Sequence, residues 1–421
     1  MGKENKIKKT KFFLDSVGYI LVSGASKGFN YLLLLYLAAG AFSKEYVTIL
    51  LLLSLEQILT IILPLNNPYI IYSKNIVTYE DITNKLITNS LMVVGLYVLI
   101  FLIFRNSIYE YFETDYLIVF ASILINITVN SYAVYLSNYY KVIERHKTAF
   151  LVQALLLISF ISIVVTMFFI ENKVLAFFLG KAIGFIIILI LFRLLKLNFV
   201  KYKFLTLNLT ELKYFFNLLS VSILGWVSGL GFMNIAKIYS TDLELVKIGY
   251  VLNLLNVFLL LSIGVNSVYN PLIKKNIVQG DSEKTIKIKN NTLYIYLVIV
   301  LLSFMAYFAL NSIFSANSYP RINEIISVLP YAILIFLFSV FQSVAHPFYL
   351  TYNKFRTFNV INILSYLFWV FIIVSLSFFG FKEYIWFLVI IYFLKASIAY
   401  IYARMSFMNT HYLKQNKETL Q

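Results

Sequence analysis

The stretch SVGYILVSGASKGFNYLLLLYLAAGAFSKEYVTILLLLSLEQILTIILPL, residues 16–65, decides what kind of chain this is. It holds two apolar runs parted only by the polar turn Ser43, Lys44 and Glu45. Each run matches the roughly 20 residues that a helix needs to cross a hydrocarbon core of about 30 Å. The same alternation continues to the end of the sequence. Hydrophobic residues make up 61% of the 421 positions and charged ones 13%, against about 25% charged in an ordinary soluble domain. That much apolar surface needs lipid around it.

Apolar windows bounded by polar clusters predict twelve spans, at about 13–39, 47–65, 86–104, 116–136, 148–170, 174–195, 214–239, 248–269, 292–313, 325–350, 358–379 and 384–404. Met1 to Lys11 carries five lysines ahead of the first run, superficially like a signal peptide. The run from Phe12 to Ala39 is too long for a signal h-region and reads as the first span. The expected fold is an all-α integral membrane protein of about twelve transmembrane helices. A basic tail, 1–12, precedes a six-helix lobe, 13–195. A basic linker, 196–213, joins it to a second six-helix lobe, 214–404, and a tail, 405–421, follows. The linker's Lys, Phe and Tyr residues suit the headgroup region of a membrane surface. LPLNNPYIIYSKN (63–75) and VYNPLIKKN (268–276) close corresponding helix pairs in the two halves, which supports a duplication with a central cavity between lobes.

The formal charge of +16 does not point to nucleic acid, because the basic residues sit in the connections between apolar runs. With the N-terminus placed in the cytoplasm, 25 of the 35 Lys and Arg fall on the inner side and 6 in outer loops. Excess positive charge marks the cytoplasmic side, so both termini are expected inside. Absence of cysteine removes disulfides, thiolate metal sites and a Cys nucleophile. His146, His346 and His411 show no metal-ligand spacing. No GxxxxGK[ST] loop is present, so the chain lacks that machinery for ATP hydrolysis.

Polar residues within spans are the candidates for function, because a charge at a helix centre costs roughly 2.5–3.5 kcal/mol on the insertion scale. Four lysines qualify: Lys27, Lys181, Lys237 and Lys395. Glu56 with Gln57 lies mid-span in helix 2, either neutralising Lys27 or coupling transport to an ion. Asn30 extends the Lys27 stripe with Ser23. Asn126 and Asn130, Asn253 and Asn256, and Asn359 and Asn362 form further polar stripes, and Gln342 with His346 forms another. Such faces suit a water-filled path for polar cargo, or serve as hydrogen-bonded glue between helices. Lys237, near a helix end, has the additional option of snorkelling to the surface.

The opening quoted above resembles that of Wzx-type polysaccharide repeat-unit flippases, of the multidrug/oligosaccharidyl-lipid/polysaccharide (MOP) exporter superfamily. A Ser- and Lys-containing first helix is followed by an outer turn, here Ser43, Lys44, Glu45 and Tyr46, with Val47 where the family carries Gly. The closing Leu-Gly element appears as Leu63, Pro64, Leu65. In the second half Gly249 and Tyr250 follow a short outer turn, and Pro271 lies some twenty residues on. The resemblance implies a bacterial cytoplasmic-membrane flippase that carries an undecaprenyl-pyrophosphate-linked oligosaccharide to the outer leaflet for O-antigen or capsule synthesis. It implies no bound cofactor, with the energy for transport drawn either from an ion gradient, H+ or Na+, or from downstream consumption of the cargo. Its partners would be membrane lipids and the polymerase and glycosyltransferases of the same pathway.

On that reading Lys27, Lys181, Lys237, Lys395, Asn30, Asn126, Asn253 and Asn359 line the cargo cavity. Cationic donors in a low-dielectric site suit a diphosphate, and amides suit sugars. A drug exporter of the same superfamily would want an acidic, aromatic cavity, whereas four lysines here face Glu56 and, at the edge, Asp15. A membrane glycosyltransferase or polymerase would need a sizeable outer loop, and none expected here exceeds about eleven residues. Flipping of another polyprenyl-linked envelope precursor stays open.

Overall fold

The computed structural model describes residues 28–37, 43–66, 79–114, 117–143, 145–197, 203–314, 320–351, 355–379 and 383–408. Among them all regular structure is helical. The helices are α1 (Gly28–Leu37), α2 (Ser43–Ile62), α3 (Tyr79–Ile103), α4 (Arg105–Phe112), α5 (Leu117–Val142), α6 (His146–Leu155), α7 (Leu157–Phe169) and α8 (Lys173–Leu194). Then come α9 (Leu209–Val227), α10 (Gly231–Tyr239), α11 (Asp242–Val278), α12 (Ser282–Phe314), α13 (Pro320–Thr351), α14 (Phe355–Phe378) and α15 (Tyr384–Ala403), closed by a π-turn at Arg404–Met408.

Ten stretches among the described residues are long and apolar enough to cross a membrane, and each coincides with an expected span. Of the other two expected spans, the first is described only from Gly28. The seventh divides into α9 and α10 at Ser228–Leu230. The fifth is interrupted at Leu156, between α6 and α7. Large apolar side chains stay uncovered along the outer faces, among them Leu99 and Leu102 on α3, Phe168 and Phe169 on α7, Leu301 and Leu302 on α12, and Phe371 on α14. In water such a surface would drive association; in a bilayer it is the lipid contact.

The chain divides into two compact units, which part between Asn234 and Ile235, with α1 divided after Leu33. The first unit therefore takes α9, and the division falls later than the expected linker at 196–213. The reason is local. Trp226 Nε1 donates to the Ser54 carbonyl at 2.9 Å, and Asn234 Nδ2 donates to Ser54 Oγ at 2.6 Å, so both hold to α2. The end of the linker is fastened too. Lys203 N donates to Asn84 Oδ1 at 3.0 Å, Leu207 is buried with Leu86 and Phe215, and Lys85 reaches both carboxylate oxygens of Glu211 at 3.2 Å. Glu211 also closes a capping box with Asn208 at the start of α9, which satisfies amides a helix start leaves open. Residues 203–208 thus pack onto α3.

Within the first unit α7 and α8 approach closely because α8 carries Gly180 and Gly184, a small-xxx-small pair. A Cβ on Gly180 would lie 2.8 Å from the Ile163 Cα, and one on Gly184 would press on the Ser159 backbone. Thr166 Oγ1 bridges the same contact, donating to the Ala176 carbonyl at 2.8 Å. The core beside it joins α5, α6 and α8 through Ala133, Val152, Phe185 and Ile188.

In the second unit α11 has 37 residues and α12 has 33, about 55 and 50 Å at 1.5 Å per residue. Both outrun a hydrocarbon core of about 30 Å. The basic connection expected at 270–291 is consequently a helical hairpin, turned at Gly280 with φ 69°, a left-handed conformation that glycine adopts freely. Asp281 caps α12 by accepting from Lys284 N at 3.0 Å. The Lys284 ammonium also bonds Asp281 and holds its carboxyl below the usual carboxylate range. Deeper in the unit, Tyr296 donates to Asn266 Oδ1 at 2.9 Å and Trp369 Nε1 to the Phe387 carbonyl at 2.7 Å.

Candidate functional site

The residues nominated from sequence fall into separate settings. Glu56, midway along α2, is buried, whereas Gln57 beside it is exposed. Among the described residues the ion partner of Glu56 is Lys181 on α8, with side-chain exposures of 7% and 13%. Lys27, expected as that partner, lies outside the described residues with Ser23. The pairing follows from packing: α2 and α5 both contact α8, and Lys181 follows Gly180 at the tight α7–α8 approach. At this depth a separated carboxylate or ammonium would cost several kcal/mol, and pairing offsets that cost.

The pair is incompletely satisfied. Glu56 Oε2 is buried and has no hydrogen-bond partner among the described residues. Asn126, on α5, is fully buried, and both its amide oxygen and its amide nitrogen lack a hydrogen-bond partner among the described residues. A buried amide without a hydrogen bond costs about 1–3 kcal/mol by mutational measures, so these groups mark a place suited to water or an ion. The first unit thus gathers Glu56 and Lys181 on helices that pack with the one carrying Asn126.

Lys395 has a different setting. It is 6% exposed on α15, its ammonium donates to the Tyr366 hydroxyl at 3.3 Å, and it lies 5.3 and 5.5 Å from the ring centroids of Tyr366 and Tyr392. Ring faces carry negative charge density, so a tyrosine cage of this kind holds a desolvated cation. Lys237 is half-buried in the last turn of α10, three residues after Asn234. Asn253 is fully buried on α11. Asn30 on α1 and Asn359 on α14 are half-buried.

Among the described residues, cavities lie elsewhere, and none of the nominated residues lines the two described next. One, of about 280 Å³ in the first unit, is walled mainly by apolar side chains including Leu63, Leu91 and Leu189. The other, of about 250 Å³ in the second unit, is walled by Glu244, Lys247, Ser327, Tyr331, Glu383 and Tyr384, among others. Sequence reading missed the second cavity, because its walls come from three helices far apart in the chain. It also missed the tyrosines around Lys395, although Tyr392 stands one helical turn before it.

No protein-family profile matches this sequence, and no curated protein matches it. Solved structures do. The chain superposes on the eukaryotic MATE transporter AtDTX14 with a TM-score of 0.63 at 12% identity, covering 99% of each chain. A multidrug-resistance MATE transporter of the MOP superfamily, in its inward-facing conformation, gives 0.66 at 11% identity over 95% of this chain and 96% of that one. A MOP-superfamily transporter from Pyrococcus furiosus, described by the reverse polarity of its binding pocket, gives 0.56 at 12% identity over 95% of this chain and 96% of that one. The fold is the one these MATE structures share, an all-helical multi-pass membrane architecture.

Proposed function

We propose that this chain is a flippase that moves a polyprenyl-pyrophosphate-linked oligosaccharide from the inner to the outer leaflet of a bacterial cytoplasmic membrane. The observation that carries the reading is charge balance on a MOP-type fold. Within the expected spans, four lysines stand against Glu56 and, at the edge, Asp15, and Glu56 is itself neutralised by Lys181. An excess of cations favours an anionic cargo over the cationic drugs of multidrug exporters. The transporter from Pyrococcus furiosus offers a parallel, since reversed pocket polarity was taken there to suggest a different function. The opening segment's resemblance to Wzx-type flippases points the same way.

On this reading Lys27, Lys237 and Lys395 supply positive charge for the diphosphate, and Asn30, Asn126, Asn253 and Asn359 supply amides for sugars. Glu56 and its Lys181 partner form the H+ or Na+ coupling point. Membrane lipids and the polymerase and glycosyltransferases of the same pathway are the expected partners. The second reading is a MATE-like ion-coupled exporter, favoured by the structural neighbours themselves.

The test is to replace Lys27 and Lys395 singly with Gln and with Arg, confirm equal membrane levels, and follow surface polysaccharide in the native host. Gln should abolish or sharply lower export, and Arg should retain part of it by keeping the charge. Normal export by both Gln variants would remove the lysines from the cargo site.

A further inference from the structure

The polar cavity of the second unit is walled by three helices near their outer ends: the first two turns of α11, the third and fourth turns of α13 and the start of α15. By the distribution of basic residues, all three ends lie on the outer face of the membrane. Its volume, about 250 Å³, falls just below the roughly 300–1,000 Å³ of pockets for drug-sized ligands. That is room for one small ring, not a chain of them.

The wall chemistry is mixed. Glu244 and Glu383 bring carboxylates, Lys247 an ammonium, Ser327 a hydroxyl, and Tyr331 and Tyr384 aromatic rings. Several of these groups are fixed in place. Thr241 N donates to Glu244 Oε2 at 3.1 Å in a cap at the head of α11. The Tyr384 hydroxyl donates to the Tyr239 carbonyl at 3.0 Å. Tyr331 stands edge-on to Trp386, with centroids 5.3 Å apart and planes at 86°. Glu383 is exposed in the loop before α15 and makes no ion pair with a described residue.

We propose that this cavity binds a single sugar ring, neutral or amino-substituted, at the outer end of the second unit. Carboxylates accept from neighbouring sugar hydroxyls through charge-assisted hydrogen bonds. A tyrosine face, negative at its centre, suits the C–H groups of a pyranose. Two carboxylates against one ammonium leave the site net negative, which selects against uronic acids and admits amino sugars. The proposal rests on the reading of a glycan-bearing cargo, and it deepens that reading by giving the glycan a receiving site on the side where it is released.

The test uses purified full-length protein in lipid nanodiscs, free of sugar-based detergent, with saturation-transfer NMR. The probes are methyl glucoside, methyl galactoside, methyl N-acetylglucosaminide, methyl glucosaminide and methyl glucuronide. At least one neutral or amino glycoside should show saturable transfer to its ring C–H protons, and the glucuronide little. Glu383→Gln, a near-isosteric change in an exposed loop, should weaken binding about tenfold or more, and Tyr331→Ala should remove the ring-proton transfer. Absence of transfer for every neutral and amino glycoside overturns the proposal. So does a signal unchanged in both variants, or Ca2+ binding that Glu383→Gln abolishes while no glycoside binds. Lipid-linked oligosaccharide transport is measured on the same preparation. Glycoside binding without transport leaves the site standing and withdraws the cargo reading. Transport without glycoside binding removes the site alone.

Discussion

Lys181 on α8 and Glu56 on α2 form a buried ion pair in the first unit, and the second carboxylate oxygen of Glu56 has no hydrogen-bond donor among the described residues. A pair of this kind costs little to keep and much to break, because removing one partner strands the other charge at a cost of about 3–5 kcal/mol. Glu56→Gln and Lys181→Gln should each lower the thermal stability of the purified protein strongly. The double variant should recover most of the loss, giving a coupling energy of about a kilocalorie or more in a double-mutant cycle. Strictly additive losses would dissolve the pair as an energetic unit.

Gly184 provides a steric test of the first unit. Gly184→Ala would push a methyl group into the Ser159 backbone and force α7 and α8 apart, so melting temperature and yield should both fall. Gly95 on α3 is the control, since a methyl group added there would meet nothing within 4 Å. Gly95→Ala should be neutral or gain up to about 1 kcal/mol from the lower flexibility of alanine. Equal behaviour of the two variants in a thermal-shift assay would contradict the close approach.

The tyrosine cage makes its own prediction for Lys395. Tyr366→Phe removes one hydrogen bond but keeps a ring face over the ammonium, so its stability cost should be about 1 kcal/mol. Tyr366→Leu removes both and should cost clearly more. Indistinguishable unfolding curves for the Phe and Leu variants would show that the ring does not hold the cation.

Orientation is open to a direct check because the chain has no cysteine. Single cysteines introduced in 314–324 should react with an impermeant maleimide in intact cells, and those in 270–291 only after permeabilisation. The opposite pattern would invert the topology and the direction of transport.

Span positions were legible in the sequence, since the ~20-residue apolar run is a local property set by bilayer thickness. Internal breaks were less so. Leu156 lies in an unbroken apolar run with neither Pro nor Gly to mark the stop, whereas the Ser228–Leu230 interruption does carry a local signal, Gly229 with Gly225 and Gly231 around it, inside a run apolar enough to read as one span. The Gly180-x-x-x-Gly184 pair was visible as a pattern, but only its neighbour α7 gives it meaning. Among the site residues, burial of Glu56, Asn126 and Lys395 followed from their central place in apolar runs. Partner choice did not follow. Glu56 and Lys181 are 125 positions apart, and which lysine meets the carboxylate depends on helix neighbours. The cavity of Glu244, Ser327 and Glu383 escaped for the same reason.

The central claim is tested most directly by transport in a defined system. Proteoliposomes holding the purified protein are loaded asymmetrically with a fluorescent undecaprenyl-pyrophosphate oligosaccharide, and its appearance in the opposite leaflet is followed with an impermeant quencher under an imposed H+ or Na+ gradient. The flippase reading expects gradient-dependent movement well above protein-free vesicles, lost in Glu56→Gln and in Lys27→Gln, with no uptake of cationic dyes. Dye export driven by the same gradient, with the lipid-linked sugar left in its original leaflet, would contradict it and identify a multidrug exporter.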